Sequence, residues 1–516
     1  MDRPRLADSE RERTRAASTL GVIDLGSNTA RLVAFETSAA GTVRAFYEGK
    51  DVPRLGSGTG PDGRLADDAV ERGVLTLKRF ARVVRDLDVP QTLAVATSAV
   101  RDAPNGPEFV RRAERASGVL LRILTGAEEA HYAYLGVASA WELGKELIFD
   151  LGGGSMQLVD VRDGAERNAV SLPLGVLRLS QRFLAHDPPK HRELEELRAH
   201  VRGTLSSVLE AFGGKGYRVN GIGGTVRALA RAAIDLRQYP VRRVHGYPLY
   251  ATEIEALHEL LGEMSAEKRR AIPGIGGDRA DVVLAGIVVL EELLKETASE
   301  RIVVSGTGIR EGIALEAIGA KLPATAPSLA ERSTTAAAES FAFRVDHGRE
   351  VADAAVALFE LLAPRYEWGP SERLALTVAG WMHDAGISID LWQHATHSAY
   401  LIQNYPIWGL DQREVLLASM IAYLHEGDDV PSDWKRAFQP ILAAADLAIA
   451  RQLGAILATA ELTAAGRPRF ALGSGGRTLT VAFSAATDTA VPPRWQEKIR
   501  KPMERMFELE VRVRDA

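Results

Sequence analysis

Residues 147–160 read LIFDLGGGSMQLVD, and residues 21–36 read GVIDLGSNTARLVAFE. Each is an apolar run, an aspartate, Leu-Gly, a small polar turn and a second apolar run. Apolar runs of this length flanking a Gly/Ser/Asn turn are the pattern of a β-hairpin. Asp-Leu-Gly falls at the same point in both, at Asp24–Gly26 and Asp150–Gly152. That match predicts an internal repeat, two related α/β domains each offering one Asp–Gly hairpin to a shared cleft. Around them strands alternate with helical stretches, as QTLAVATSAV followed by RDAPNG and a helix up to Ser117–Gly118, which points to sheets covered by helices.

A chain of 516 residues is too long for one core, so two to four domains are expected. Residues 1–18 alternate charge signs and read as a disordered tail, followed by α/β domains over 19–125 and 126–318. The Ala-, Pro-, Ser- and Thr-rich stretch 319–334 reads as a linker. Residues 335–460 carry amphipathic helical spacing, and 461–516 return to strand-like alternation, a small appended α/β unit. Cysteine is absent, which excludes disulfides and thiolate chemistry. A net charge of −5 gives no global basic field, so no specific nucleic-acid partner is expected. Local clusters (241–247, 267–270, Arg344 with Arg349) could still form a rail for a polyanion. No uninterrupted apolar run of membrane-spanning length and no secretory signal are present, so a cytoplasmic protein without a membrane partner is expected.

Four turns carry the chemistry of the first 318 residues: DLGSNT (24–29), DLGGGS (150–155), GIGGT (221–225) and SGTGIREG (305–312). Each follows a strand, and bare N–H groups in such turns, or at the start of a helix, form concavities for phosphate. TSAVRDAPN (97–105) sets Arg101 just past a strand end, where a guanidinium can clamp phosphate oxygens. TGAEEAHYAYLGV (125–137) sets Glu128 and Glu129 in the first turn of a helix, where acids also occur simply to complement the dipole.

Together with SLPLGVLRL, PGIGGDRADVVLAG and VSGTGIREG, these motifs resemble, in order and over residues 20–318, the exopolyphosphatase/guanosine pentaphosphate phosphohydrolase family. That family lies within the acetate kinase–Hsp70–actin superfamily. The resemblance implies two actin-like, ribonuclease-H-like domains around a cleft, then an all-α domain like the HD phosphohydrolases and a small C-terminal α/β unit. It implies processive hydrolysis of the terminal phosphate of inorganic polyphosphate, assisted by Mg²⁺ or Mn²⁺, by an enzyme that commonly dimerises. Carried over position by position, the general base falls on Glu129, with Glu128 the alternative. The phosphate-contacting arginine falls on Arg101 and the metal-associated aspartate on Asp150. Ser27, Asn28, Thr29, Gly153, Gly154, Ser155, Gly223, Gly224, Thr225 and Arg310 fall on or beside phosphate-binding positions. Competing readings are a guanosine pentaphosphate phosphohydrolase, an ATP-dependent kinase of the superfamily, or a non-catalytic polyphosphate or nucleotide sensor.

One departure stands out. The family usually reads GGGSTE where this chain has GGGSMQ, so an expected second carboxylate near the metal is Gln157. An amide is a poor ligand for a hard cation, so metal binding should be weaker unless another acid such as Asp24 compensates. In the helical region His347, His383–Asp384 and Asp446 occur in the order of an HD-type site, and His394, His397 and His425 are further candidates for an additional divalent metal.

Overall fold

The computed structural model describes residues 19–515, apart from 39–40, 60–61, 342, 428, 465–467, 474–475 and 484–492. The stretch 1–18, read as a tail, lies outside these residues. The chain forms two compact units, one of residues up to 238 with 244–324, the other of 239–243 with 325 onward.

The first unit contains two sheets of similar design. The first comprises β1 (Thr19–Leu25), β2 (Ala30–Thr37), β3 (Val43–Asp51), β4 (Gln91–Ala96) and β5 (Leu121–Ile123), in the order β3-β2-β1-β4-β5. The second comprises β6 (Glu146–Leu151), β7 (Met156–Arg162), β8 (Ala165–Leu172), β9 (Arg218–Ile222), β10 (Pro248–Tyr250) and β11 (Arg301–Val304), in the order β10-β11-β9-β6-β7-β8. In each, the hairpin strand at the centre pairs antiparallel with its successor and parallel with a later strand. The repeat read from Asp-Leu-Gly is therefore a repeat of topology. Its register is equally close, with Asp24 opposite Arg31 in one hairpin and Asp150 opposite Gln157 in the other.

Strand β1 is buried on both faces, which is why its sequence is apolar almost throughout. Ile23 and Leu25 enter a core with Leu77, Phe80 and Phe109, while Leu20 and Val22 enter one with Tyr132, Ile313 and Ala314. Period-two alternation puts Asp24 on the second face, the one covered by the Gly126–Ala138 and Ile309–Ala317 helices. These helices approach so closely that a Cβ on Gly136 would lie 2.2 Å from the Gly308 carbonyl oxygen, and one on Gly312 2.1 Å from that of Tyr132. Both helices fall in the range 126–318 expected to be the second domain, yet they help to build the core of the first sheet. The loop at 278–281 also ties back to the first sheet: Asn28 Nδ2 donates to the Asp278 carbonyl (3.1 Å), and Lys50 and Arg54 pair with Asp278 and Asp281.

The second unit is helical, as the amphipathic spacing predicts, with helices at Val345–Tyr366, Pro370–Met382, His394–Asn404, Gln412–Leu424 and Ala444–Ala464. The expected linker 319–334 differs: Ala326–Phe341 is a helix that buries Leu329, Ala330, Ala337 and Ala338. Its proline is at the second position, within the first turn, where a missing N–H costs nothing. The Ala444–Ala464 helix is long and apolar enough to cross a membrane by length and composition, but Asp446, Arg451 and Glu461 interrupt it and about half of its apolar window is buried within the structure. A three-stranded sheet closes the unit: β12 (Arg469–Leu472) antiparallel to β13 (Thr478–Phe483), and β13 parallel to β14 (Glu510–Asp515) after the crossover helix Pro493–Phe507.

Candidate active site

Both Asp–Gly hairpins open onto one cleft of the first unit, lined by Asp24, Ser27, Asn28, Thr29, Glu129, Asp150, Gly153, Ser155, Gln157, Gly223, Gly224, Thr225 and Arg310 among others. Nearly every residue picked from the first 318 positions converges there. Three do not line it: Glu128, Gly154 and Arg101.

The two glutamates of the EEA pair have different jobs. Glu128 closes a capping box at the start of its helix, its Oε2 accepting from the Thr125 N–H (2.8 Å) and hydroxyl (2.9 Å), and it pairs with Arg122. Glu129 is 3% exposed and lines the cleft. One of its oxygens accepts from Arg101 Nη1 and the other from Gln157 Nε2 at 3.2 Å. Arg101 reaches the site through this carboxylate, while another bond from Nη1 to the Leu124 carbonyl (3.0 Å) fixes it. Burial pushes the Glu129 carboxyl up to about 7; Arg101 opposes this, and Asp24 and Asp150 add to it. A carboxylate balanced near neutrality can accept a proton there, which ordinary solvent-exposed glutamates do poorly.

Gln157 is therefore a hydrogen-bond donor to the candidate base, where its place in the motif suggested a weak metal ligand. Its Nε2 also lies 2.9 Å from Ser155 Oγ and 3.1 Å from Ser171 Oγ, inside a nearly solvent-free pocket.

Gly153 and Gly154 sit at the junction of the two hairpins. A Cβ on Gly153 would lie 3.0 Å from the Asn28 nitrogen, and one on Gly154 2.5 Å from both Ser27 Oγ and Ser98 Oγ. Gly154 faces a neighbouring cavity with Ser98 and Arg178. Gly223 has φ +105°, a left-handed conformation, and a Cβ there would meet the Leu151 carbonyl at 2.4 Å. Gly224 lies against the Arg279 guanidinium. The hairpins interlock, and the residues left facing the cleft are polar.

Some of those polar atoms are buried without a partner among the described residues: Asn28 Oδ1, Thr225 Oγ1 and Arg310 Nε. Arg31, Arg227 and Arg279 also line the cleft, and sequence reasoning passed over them. Arg31 and Arg279 lie inside stretches already singled out (GVIDLGSNTARLVAFE and PGIGGDRADVVLAG) and Arg227 two residues past GIGGT, so the signal was near, but a motif does not say which way a side chain points. Burial, with Arg310 close by, lowers Arg227 to about 10, which still leaves it charged at neutral pH. Its Nε donates to the Ser305 carbonyl (3.0 Å). Asp24 lies 3.8 Å from Arg310 Nη1, and burial raises its carboxyl above the usual range. Burial likewise raises Asp150 to about 6, against the pull of Arg227. Four arginines around two aspartates and a buried glutamate suit a substrate of high negative charge that arrives with a cation.

Two parts of the expected basic rail are structural instead. Arg269 is 2% exposed and donates to the Leu261 and Ala280 carbonyls, and Arg243 donates to the Tyr405 carbonyl.

In the helical unit, His347, His383 and Asp384 come together, and His394 and His425 join them through Asp384. Asp446 does not: its carboxylate accepts from Arg413 Nε (3.1 Å) and from the Ala443 N–H (2.8 Å). Asp446 starts the Ala444–Ala464 helix and Glu461 lies 15 residues on, about 22 Å away at 1.5 Å per residue. It is Glu461 that reaches the histidines, 3.6 Å from His425 Nε2. His397 is not one of the clustered residues.

Comparison with known proteins follows the same division. The model of the Ppx/GppA phosphatase family matches residues 35–320, and that of Ppx/GppA phosphatase domain III matches 329–444. Exopolyphosphatase 1 of Mycobacterium tuberculosis and that of Mycobacterium leprae are 31% identical to the chain over 316 residues, 60% of this chain and 90% and 91% of theirs. An exopolyphosphatase structure from Cytophaga hutchinsonii aligns with TM-score 0.55 at 26% identity, covering 59% of this chain and 99% of its own. The Ppx/GppA family member of Aquifex aeolicus aligns with TM-score 0.50 at 30% identity, covering 58% and 97%.

Proposed function

Starting from a chain that belongs to the Ppx/GppA phosphatase family, we propose that its cleft hydrolyses the terminal phosphate of inorganic polyphosphate, with Glu129 as general base and Mg²⁺ or Mn²⁺ bound. One observation carries this reading. Glu129, the cleft's buried carboxylate on the Gly126–Ala138 helix, is held between Arg101 and Gln157 and poised near neutrality beside four arginines.

The donor set fits a hard divalent cation. Asp24 and Asp150 are buried acids raised by desolvation, no hydrogen bond reaches the Asp150 carboxylate among the described residues, and Asn28 Oδ1 is an orphaned oxygen acceptor. Asp24, Asp150 and Asn28 would hold the ion. Bound there, it would supply Lewis-acid neutralisation of the phosphoanhydride oxygens. Arg31, Arg227, Arg279 and Arg310 would hold the phosphoryl groups and absorb charge on the leaving chain. Thr225 Oγ1, buried and unpartnered, is a further donor toward phosphate. Glu129 takes the proton of the attacking water, and Arg101 and Gln157 fix its carboxylate in place. After cleavage, the same arginines would keep hold of the shortened chain, which favours processive release over dissociation.

The test is orthophosphate release from long-chain polyphosphate with and without Mg²⁺, with guanosine pentaphosphate in parallel. Mg²⁺-dependent release, with higher kcat/KM on polyphosphate, is expected. A preference for guanosine pentaphosphate would reassign the substrate, and tight polyphosphate binding without release would leave a sensor.

A further inference from the structure

If the arginines of the cleft keep the shortened chain after each cleavage, the orthophosphate just formed cannot leave past it. The first unit contains a second opening. Beside the cleft lies a cavity of about 250 Å³, and Ser27, Ser98 and Gly153 line both. Pockets built for drug-sized ligands run to about 300–1,000 Å³, so this one suits a small ion.

The partition between the two spaces is made of small residues. Ser27 and Ser98 are 3% and 2% exposed, and their hydroxyl oxygens lie 3.0 Å apart. Gly154 packs so closely on them that a Cβ would lie 2.5 Å from each oxygen. Two hydroxyls that share one hydrogen bond leave the second O–H without an acceptor among the described residues. By rotating, the pair can donate to phosphate oxygens, which a partition of apolar side chains could not do. Ser98 also stands close to the proposed chemistry. It opens the short helix Ser98–Arg101, and Arg101, on the same face three residues on, is the guanidinium that holds Glu129.

Away from the partition the lining becomes exposed and charged, at Asp102, Arg178 and Gln181. Arg178, on the Val176–Phe183 helix, donates from Nε to the Gly154 carbonyl (2.9 Å) and from Nη2 to Asp102 Oδ2 (2.6 Å). Its Nη1 has no hydrogen-bond partner among the described residues. The pair with Asp102 is half-exposed on both sides, where ion pairs are weakly held. Asp102 has a second partner, Arg101 Nε, 3.3 Å from its other oxygen. An anion that displaces Asp102 from Arg178 therefore leaves the carboxylate with Arg101, and no charge is stranded.

We propose that this cavity is the exit for orthophosphate, where Arg178 receives the product from the Ser27–Ser98 partition while the shortened chain stays in the cleft. The inference rests on the polyphosphatase reading, since only a retained chain blocks the way in.

The test compares two substrates on the full chain with Mg²⁺. Arg178→Glu sets a negative charge at the mouth of the cavity. With long-chain polyphosphate it should slow the appearance of free orthophosphate, followed with a fluorescent phosphate sensor, by about tenfold or more. Total orthophosphate, read after acid quench, should run ahead of free orthophosphate in the first turnover, because formation precedes exit. With tripolyphosphate the defect should be several-fold smaller, because the pyrophosphate left behind dissociates and reopens the front. Arg178→Lys should restore most of the loss. Should Arg178→Glu not fold, Gln181→Glu adds the same charge on the exposed rim and should act in the same direction. Free and total orthophosphate that rise together in the variant, or equal slowing on both substrates, overturns the exit and leaves the polyphosphatase reading standing. Wild-type protein that releases orthophosphate from neither substrate overturns that reading and the exit with it.

Discussion

In the cleft of the first unit, most buried charge is answered by the protein's own side chains, the Asp150 carboxylate excepted. Glu129 accepts from Arg101 and Gln157, Asp24 faces Arg310, and Arg227 donates to a carbonyl. Only a few atoms, such as Thr225 Oγ1 and Asn28 Oδ1, are left over. In the histidine cluster the backbone takes the Nδ1 protons of His383, His394 and His425, the Nε2 atoms of His394 and His425 stand 3.3 Å apart, and His383 Nε2 has no hydrogen-bond partner among the described residues. The four arginines of the first site suit an anion. The second is a group of buried and half-buried imidazoles gathered around Asp384. A cluster of charged side chains thus says little until the protons are counted.

That contrast can be broken or sharpened by substitution. Glu129→Gln should lower polyphosphate turnover by about 10³-fold, because a positioned base contributes about 10²–10⁴; orthophosphate release is the measure, and near-wild-type turnover would end the assignment. Arg227→Ala should lower kcat/KM by about 100-fold, the worth of charge-assisted bonds to phosphate, with most of the loss in KM. Gln157→Glu replaces a donor to Glu129 with a like charge, so it should move the base upward by about one pH unit. The sign follows from the raised Glu129: it is protonated and inactive below about pH 7, and wild-type activity should rise through that value. The variant should be about fivefold slower at pH 7 and equal to wild type at pH 9. A pH profile that stays in place while Mg²⁺ activation improves would return residue 157 to the metal. Glu128→Gln should change turnover less than twofold and cost about 1 kcal/mol of stability through its weakened helix cap, read by urea unfolding. Asp446→Asn should cost about 1–3 kcal/mol of stability, read by urea unfolding, since its carboxylate serves Arg413.

The sequence was most legible where chemistry and backbone coincide. Asp-Leu-Gly marked both hairpins, and the repeat it implied recurs in strand order and register. It was less legible where direction decides. Gln157 sits at the register position of Arg31 in the other hairpin, so two aspartates in equivalent places face different neighbours. Glu128 and Glu129 are adjacent, and only the rotation of a helix separates a cap from a carboxylate that lines the cleft. Asp446 fitted an expected order of residues, but one helix can present only one of its ends to the histidines, and that end carries Glu461. The stretch 319–334 looked like a linker by composition; its alanines and Leu329 instead suit a helix with one buried side.

The close contact of Gly136 with Gly308, and of Gly312 with Tyr132, bears on how the reaction cycle can move. The helix bearing Glu129 and the helix bearing Arg310 touch backbone to backbone, so neither can slide or rotate without the other. Base and phosphate clamp would then travel as a single rigid body through every turnover. Any movement that frees product would have to bend the chain elsewhere. The pair of helices would carry the proposed chemistry from one cycle to the next unaltered.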